Sequence, residues 1–318
     1  MNKIALGTWN TPLENLPRLA VALGLNAEDL WIKRDDLSSL GGGGNKIRKL
    51  EYSCAKAVEQ GATTLVTVGA AQSNHARLTA AAGAKLGLNV ELVLAGQAPE
   101  HPTGNIVLDG LFGAKLHWLG DADDGQLEQA AQQRIQDLQQ QGITASFIPF
   151  GGSNAYAAQG YVDCAKELKQ QAEHIDHVVV ALGSGGTMAG LVHELGADLV
   201  YGVHTGAVTD PENRVRNLLA DMQSSDYSDT IRVRLDQVGD GYSALTEPVK
   251  EALRLIAQYE GIVLDPIYTG RAFAGLVAAV RDGAIQKGQK TIFLHTGGLP
   301  GFFGHLDVVQ YATSLSRV

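Results

Sequence analysis

The chain has 318 residues, of which 45% are apolar and 19% charged, and its net charge is −9. This length suggests about two domains; the composition supplies a large core and excludes wholesale disorder. An acidic chain with no long basic run also excludes a nucleic-acid surface, and no apolar run approaches the roughly 18–20 residues that span a bilayer.

The opening "MNKIALGTWNTPLENL" lacks the apolar segment of a signal peptide. Cys54 and Cys164 lie far apart in helical patterns without metal-ligand spacing, which predicts a reduced, cytoplasmic chain with no metal centre. At residues 41–61, "GGGGNKIRKLEYSCAKAVEQG" turns helical: Ile47, Leu50, Cys54, Ala57 and Val58 mark one face, ending near Gly61. Lys46 falls in or beside the first turn. A Walker A loop needs Gly-Lys-Ser/Thr, whereas this loop reads Gly-Asn-Lys-Ile, and no GxGxxG fingerprint follows a strand. Lys46 is therefore either a solvated charge or a Schiff-base lysine. The second role requires a shielded, electropositive pocket that keeps the amine neutral. Lys33, Arg34, Arg48 and Lys49 are the cations at hand to lower its pKa, and the glycines would let backbone approach a ligand without Cβ collisions.

Short apolar strands and helical patterns then alternate. "TTLVTV" (63–68) precedes the helical "ARLTAAAGAKLG" (76–87); strand "NVELVL" (89–94) precedes a helical segment at 104–113; strand "AKLHWL" (114–119) precedes a Gln-rich helix at 127–141 and strand "SFIPF". After "FGGSN" come helix 156–171, strand "HVVVAL", helix 188–195, strand "LVYGVH", a further helix and strand "IRVRL". Helices at 247–260 and 271–282 and strand "KTIFL" close the series. Continuous Val/Leu/Ile runs separated by helices predict two open, mostly parallel sheets with helices on both faces, and glycine-rich loops at strand ends are where such folds bind ligands. No fixed-period repeat occurs, which excludes a solenoid.

Two of those loops carry chemistry. "ALGSGGTMAGL" places Gly183, Ser184, Gly185, Gly186 and Thr187 between a strand and a helix, a cup of backbone N–H groups and hydroxyls suited to phosphate, or else a tight turn. With a distant lysine and no magnesium motif, the cup favours pyridoxal phosphate over a nucleotide. In "VTVGAAQSNHARLTAA", Ser73 and Asn74 suit a helix cap. They equally suit a site in which Ser73 binds a carboxylate or relays a proton and Asn74 donates to a ring oxygen. His75 is either a packed histidine or a neighbour of the substrate.

Taken in order, "WIKRDDL", "GGNKIRKLEY", "AQSNHARLTAA", "IPFGGSNAYAAQGY", "ALGSGGTMAGL", "DGYSALTE", "LDPIYTGRAFAGL" and "FLHTGGLPGFFG" resemble the family of D-cysteine desulfhydrase and 1-aminocyclopropane-1-carboxylate deaminase over nearly the whole chain. Those are pyridoxal-phosphate enzymes of fold type II, the tryptophan-synthase-β-like fold. The resemblance implies Lys46 as the Schiff-base lysine, Asn74 as partner of the ring oxygen and Gly183 to Thr187 as the phosphate cup. It also implies Ser73, Asn74, His75, Tyr242 and Tyr268 on the substrate side, a small inserted domain at 50–155 within a large domain of 1–49 and 156–318, and a homodimer. Deaminases of this family resemble "DPVYEGK" and "HLGG", with an acid after the tyrosine and a leucine after the histidine; here Thr269 and Thr296 stand instead. A carboxylate beside the pyridine nitrogen would keep it protonated. A threonine cannot, which favours β-elimination from D-cysteine, with Lys46 or Ser73 as base. Alternatives are the deaminase, a lyase for another β-substituted amino acid such as L-cysteate, and a non-catalytic amino-acid-binding protein. The loop before Ser73 reads "GAAQSNH" where the family has "GGIQSNH", and "GGGGNK" replaces "ATGGNK".

Overall fold

Apolar runs without polar interruption form strands covered on both faces. The computed structural model describes residues 1–224 and 231–316. It begins with β1 (Leu13–Asn15), α1 (Pro17–Ala22), β2 (Leu30–Arg34) and, after two short 3-10 turns, α2 (Lys46–Glu59). Next come β3 (Thr64–Gly69), α3 (Asn74–Leu86), β4 (Asn89–Leu94), α4 (Gly104–Leu111), β5 (Lys115–Trp118), α5 (Asp124–Gln140) and β6 (Ala145–Ile148). The chain continues through α6 (Ala155–Gln171), β7 (His177–Leu182), α7 (Gly186–Leu195), β8 (Val200–His204), α8 (Pro211–Asp221), β9 (Arg232–Arg234) and α9 (Glu247–Glu260). It ends with α10 (Thr269–Arg281), β10 (Thr291–His295), α11 (Leu299–Phe303) and α12 (Leu306–Ser314).

The fold is α/β with two sheets of the tryptophan-synthase-β-like type. One sheet runs β5-β4-β3-β6 with every pairing parallel. The other runs β1-β2-β10-β7-β8-β9, parallel except where β1 meets β2. Alternate residues of each strand feed different cores. Val179 and Phe293 pack with α9 and α10, whereas Val178, Val180 and Leu294 pack with α6 and α7. In the smaller sheet Leu65 and Leu92 face α2 and α3, and Val66 and Val93 face α5. No described helix is long and apolar enough to cross a membrane.

Helix α2 lies against both α3 and α6. Its contact with α6 is close enough that a Cβ on Gly160 would stand 2.3 Å from the Arg48 carbonyl oxygen. The expected apolar face of α2 is buried at Ile47, Leu50, Cys54 and Ala57, but Val58 is 44% exposed and lies off that stripe. The ends of β3, β6, β7 and β10 carry their loops toward the start of α2. This convergence positions the cleft described next.

Candidate active site

Before Lys46 the chain passes through Gly41 to Gly44, all with φ between 55° and 136°, a region costly for residues with a Cβ. The loop runs along the end of β10: Asn45 N–H donates to the Thr296 carbonyl at 3.0 Å, and a Cβ on Gly44 would approach that oxygen to 3.1 Å. Lys46 is thereby turned into a cleft lined by Ser73, Asn74, Phe150, Gly183, Ser184 and Tyr268, among others. The cleft and the open space at its mouth together hold about 610 Å³ of non-protein volume.

Lys46 Nζ donates to Asn45 Oδ1 at 2.9 Å and sits 5.8 Å from the Tyr268 ring centroid. Desolvation pulls its pKa down to about 8; Asp265 works against that and the Arg77 cation adds to it. The cations expected to do this are mostly elsewhere. Lys33 is bound to Glu167, Arg34 to Glu14 and Asp36, and Arg48 to Asp35 and Glu167. Lys33 and Arg48 meet at Glu167 in a buried ion network, Arg34 pairs separately on the other face of β2, and none of the three lines the cleft. Lys49 is the exception: fully buried, it donates to Gly151 O and, at 2.9 Å, to Ser153 Oγ. Burial, with Lys46 and Arg214 nearby, holds it well below the ordinary lysine range.

The glycine-rich turn lies where β7 ends and α7 starts. Gly185 has φ 89°, and a Cβ on Gly186 would lie 2.6 Å from Ser153 Oγ. Ser184 Oγ and Ser153 Oγ are 2.7 Å apart, Gly186 N–H donates to Ser153 Oγ at 3.2 Å, and Thr187 Oγ1 accepts from Asn45 Nδ2 at 2.9 Å. Gly183, Ser184, Gly185 and Thr187 line the cleft, with the positive end of α7 facing it.

Ser73 is both cap and wall: its Oγ accepts from Ala76 N–H at 3.1 Å while the residue borders the cleft. Asn74 opens α3 with its Oδ1 accepting from Asn105 Nδ2 at 2.9 Å. His75 also borders the cleft but is packed: its Nε2 meets Thr67 Oγ1 at 2.9 Å, its Nδ1 has no partner among the described residues, and burial keeps its pKa well below the ordinary histidine value. Tyr268 and Tyr242 share a 2.6 Å hydroxyl contact. Burial raises the pKa of both, Tyr242 to about 12, so both hydroxyls are protonated. Tyr242 lines a second cavity that shares Ser73, Phe150 and Tyr268 with the first.

Thr269 requires a correction. It is fully buried, its Oγ1 donates to Asp265 Oδ1 at 2.7 Å and accepts from Asp265 N–H at 2.8 Å, and it does not line the cleft. Its hydroxyl is occupied in starting α10. Thr296 does border the cleft. The sequence reading overlooked Asn45, Ser153 and Arg77; the first adjoins Lys46 and the second lies in the quoted "FGGSN", so position beside a motif was the available signal. Among the described residues, no group of His, Cys, Asp or Glu could hold a metal.

Comparisons agree with this architecture. A family described as "Pyridoxal-phosphate dependent enzyme" matches residues 4–297. A protein of Pyrococcus furiosus named "Putative 1-aminocyclopropane-1-carboxylate deaminase" is 36% identical, with 96% of this chain and 95% of that protein covered. A protein of the same name from Pyrococcus horikoshii is 38% identical, with 96% and 94% covered. A crystal structure of an "ACC deaminase homologue" superposes with TM-score 0.90 at 36% identity, covering 98% of this chain and 96% of that one.

Proposed function

The chain belongs to the family of pyridoxal-phosphate dependent enzymes, and from that membership we propose that it is a lyase that removes the β-substituent of a small amino acid, converting D-cysteine to pyruvate, ammonia and hydrogen sulfide. The residues of the cleft fit its cofactor, pyridoxal phosphate. The cleft joins a desolvated amine at Lys46 to a glycine cup whose Gly186 tolerates no Cβ. The cup would hold the phosphate, Lys46 the aldehyde carbon, and Asn74 the ring oxygen. When bound, the cofactor supplies the electron sink that acidifies a substrate Cα–H.

The observation that carries the reading is the lining. Among the described residues, no Asp or Glu borders the cleft; Thr296, which stands where the deaminases carry a leucine, does, and Thr269, at the position of their acid, does not. Asp265 acts on Lys46 through space, but its carboxylate is occupied by the N–H groups of Ile267, Tyr268 and Thr269 and the Thr269 hydroxyl. A ring nitrogen without a carboxylate makes a weaker sink, and loss of a thiolate, which takes the electron pair itself, demands least of it. Lys46 Nζ, with a pKa of about 8, is partly neutral near pH 7 and can accept the Cα proton. Ser73 Oγ, already accepting from Ala76 N–H, can donate its own O–H to the substrate carboxylate. The Tyr268 hydroxyl, paired with Tyr242, can orient the substrate or pass a proton.

The names of the relatives support a second reading more directly: deamination of 1-aminocyclopropane-1-carboxylate to 2-oxobutanoate and ammonia. L-cysteate is less favoured on charge: Asp124 lines the second cavity beside Ser73, Tyr242 and Tyr268 and would repel a sulfonate placed there. Sulfide, pyruvate and 2-oxobutanoate should be measured with D-cysteine, L-cysteine, aminocyclopropane-carboxylate and L-cysteate. Sulfide from D-cysteine with little 2-oxobutanoate is the expected result. Comparable turnover of the cyclopropane would show that a neutral lining suffices, and the first reading would yield to the second.

A further inference from the structure

Asn74 presents a carboxamide to the cleft, and which end faces inward decides whether it donates or accepts there. Its neighbours determine the answer through groups with only one possible role. Arg77, 1% exposed, sends Nη1 to the carbonyls of Gly41 and Gly43 at 2.6 and 3.1 Å and Nε to Asn105 Oδ1 at 3.0 Å. A guanidinium can only donate, so the atom it meets on Asn105 is the amide oxygen. The other end of Asn105, fully buried, reaches the Gln72 carbonyl at 3.0 Å, which can only accept. Asn105 is therefore locked, and its Nδ2 also meets Asn74 at 2.9 Å. That atom of Asn74 must be Oδ1, which lies within 3.4 Å of Arg77 Nη2 as well. The remaining end of Asn74, the Nδ2 amine, donates to no described residue and is left for the cleft.

We propose that Arg77 and Asn105 are positioning residues that fix the Asn74 carboxamide with its N–H donors aimed at the ring oxygen of the cofactor. Neither touches substrate or cofactor in this scheme; both act through Asn74. The same Arg77 side chain ties down the Gly41–Gly43 turn that leads to Lys46, so one buried cation sets the donor and the approach of the lysine together. The proposal rests on the reading of Asn74 as the ring-oxygen partner. It is independent of which amino acid the enzyme consumes.

An N–H donated to the ring oxygen stabilises its anionic form and lowers the pH at which the visible band of the bound cofactor changes. The holoenzyme and its variants should be titrated spectrophotometrically, with cofactor dissociation measured alongside. Asn74→Ala should raise the band's midpoint by about one pH unit, roughly a tenfold change in proton affinity. Asn105→Leu and Arg77→Gln should raise it similarly, and Asn105→Leu should add nothing in the Asn74→Ala background. Arg77→Lys, which keeps the charge and loses the fork, should behave like Arg77→Gln. A wild-type midpoint in Arg77→Lys would mean that charge alone matters and would overturn the positioning role. A folded Asn105→Leu with an unshifted midpoint, or with a full shift persisting in the Asn74→Ala background, would do the same. An unshifted Asn74→Ala would instead overturn the reading of Asn74 beneath the proposal. Should Arg77→Gln fail to fold, Asn105→Leu carries the test.

Discussion

Tyr268 illustrates what a single side chain contributes. Its ring packs beside Gly183, where an added Cβ would come within 3.0 Å of Cε1, and Lys46 Nζ lies over its face. Its hydroxyl, held 2.6 Å from that of Tyr242, is the part left for chemistry. Tyr268→Phe should keep the ring packing and cofactor binding but lose the hydroxyl. If that hydroxyl acts in the transition state, kcat and kcat/KM will fall together, by roughly 10²–10⁴-fold. A rise in KM with kcat unchanged would restrict it to holding substrate. At this scale the sequence was legible where motif and geometry coincide: Lys46, Ser73, Asn74, Gly183, Ser184, Gly185, Thr187 and Tyr268 all reach one cleft. It was misleading for Thr269, whose hydroxyl is drawn to Asp265 at a helix start. It also misled for Lys33, Arg34 and Arg48, since proximity in sequence says nothing of direction when β2 and α2 turn those side chains toward Glu167, Glu14 and Asp35.

Among the elements, α7 is the one on which cofactor binding depends most directly. Its N-terminus is brought against the FGGSN loop, with Ser153 Oγ accepting from Gly186 N–H and facing Ser184 Oγ. Gly186→Ala would place a Cβ 2.6 Å from that oxygen and 3.0 Å from Ser153 Cβ, so loop and helix would have to separate. Cofactor affinity should drop by at least about tenfold with the global melting transition of the cofactor-free protein little changed; equal affinity would mean that the cup does not hold the phosphate. The interior strands were readable because burial on both faces leaves an uninterrupted apolar run, as in "HVVVAL" and "TTLVTV". The β1-β2 side of the larger sheet was not: β1 is three residues of partly buried "LEN", and β2 includes Lys33, a buried charge that breaks the pattern yet is satisfied by Glu167, Gln171 and the Thr11 carbonyl. Helix α5 starts at Asp124 rather than 127 because Asp123 and Gln126 form a reciprocal cap.

Across the whole molecule, buried charge couples stability to pH in opposite directions. Asp35 is fully buried; burial works to raise its pKa, but Arg48, the Tyr161 hydroxyl and Lys33 overcome this and hold it below the ordinary range. A lowered carboxyl contributes stability that is present at neutral pH and lost on acidification. Asp109, on α4, behaves in the reverse sense. It is 1% exposed, neither carboxyl oxygen has a hydrogen-bond partner among the described residues, and desolvation raises it from 3.8 to about 7 despite the Arg77 cation. The folded state therefore binds a proton that the unfolded chain releases near pH 4, and stability falls as pH rises from about 4 to about 7. The ceiling on this loss is about 4 kcal/mol, because each pH unit between the unfolded and folded values is worth about 1.4 kcal/mol. Asp109→Asn removes the ionisation and keeps the shape. Urea unfolding from pH 4 to pH 8 should then show the wild type losing ground to the variant through that window, with the gap levelling off above pH 7. All other titrating groups are shared, so their contributions cancel in the difference. Parallel curves would mean that the Asp109 carboxyl titrates alike folded and unfolded, and that its burial carries no cost.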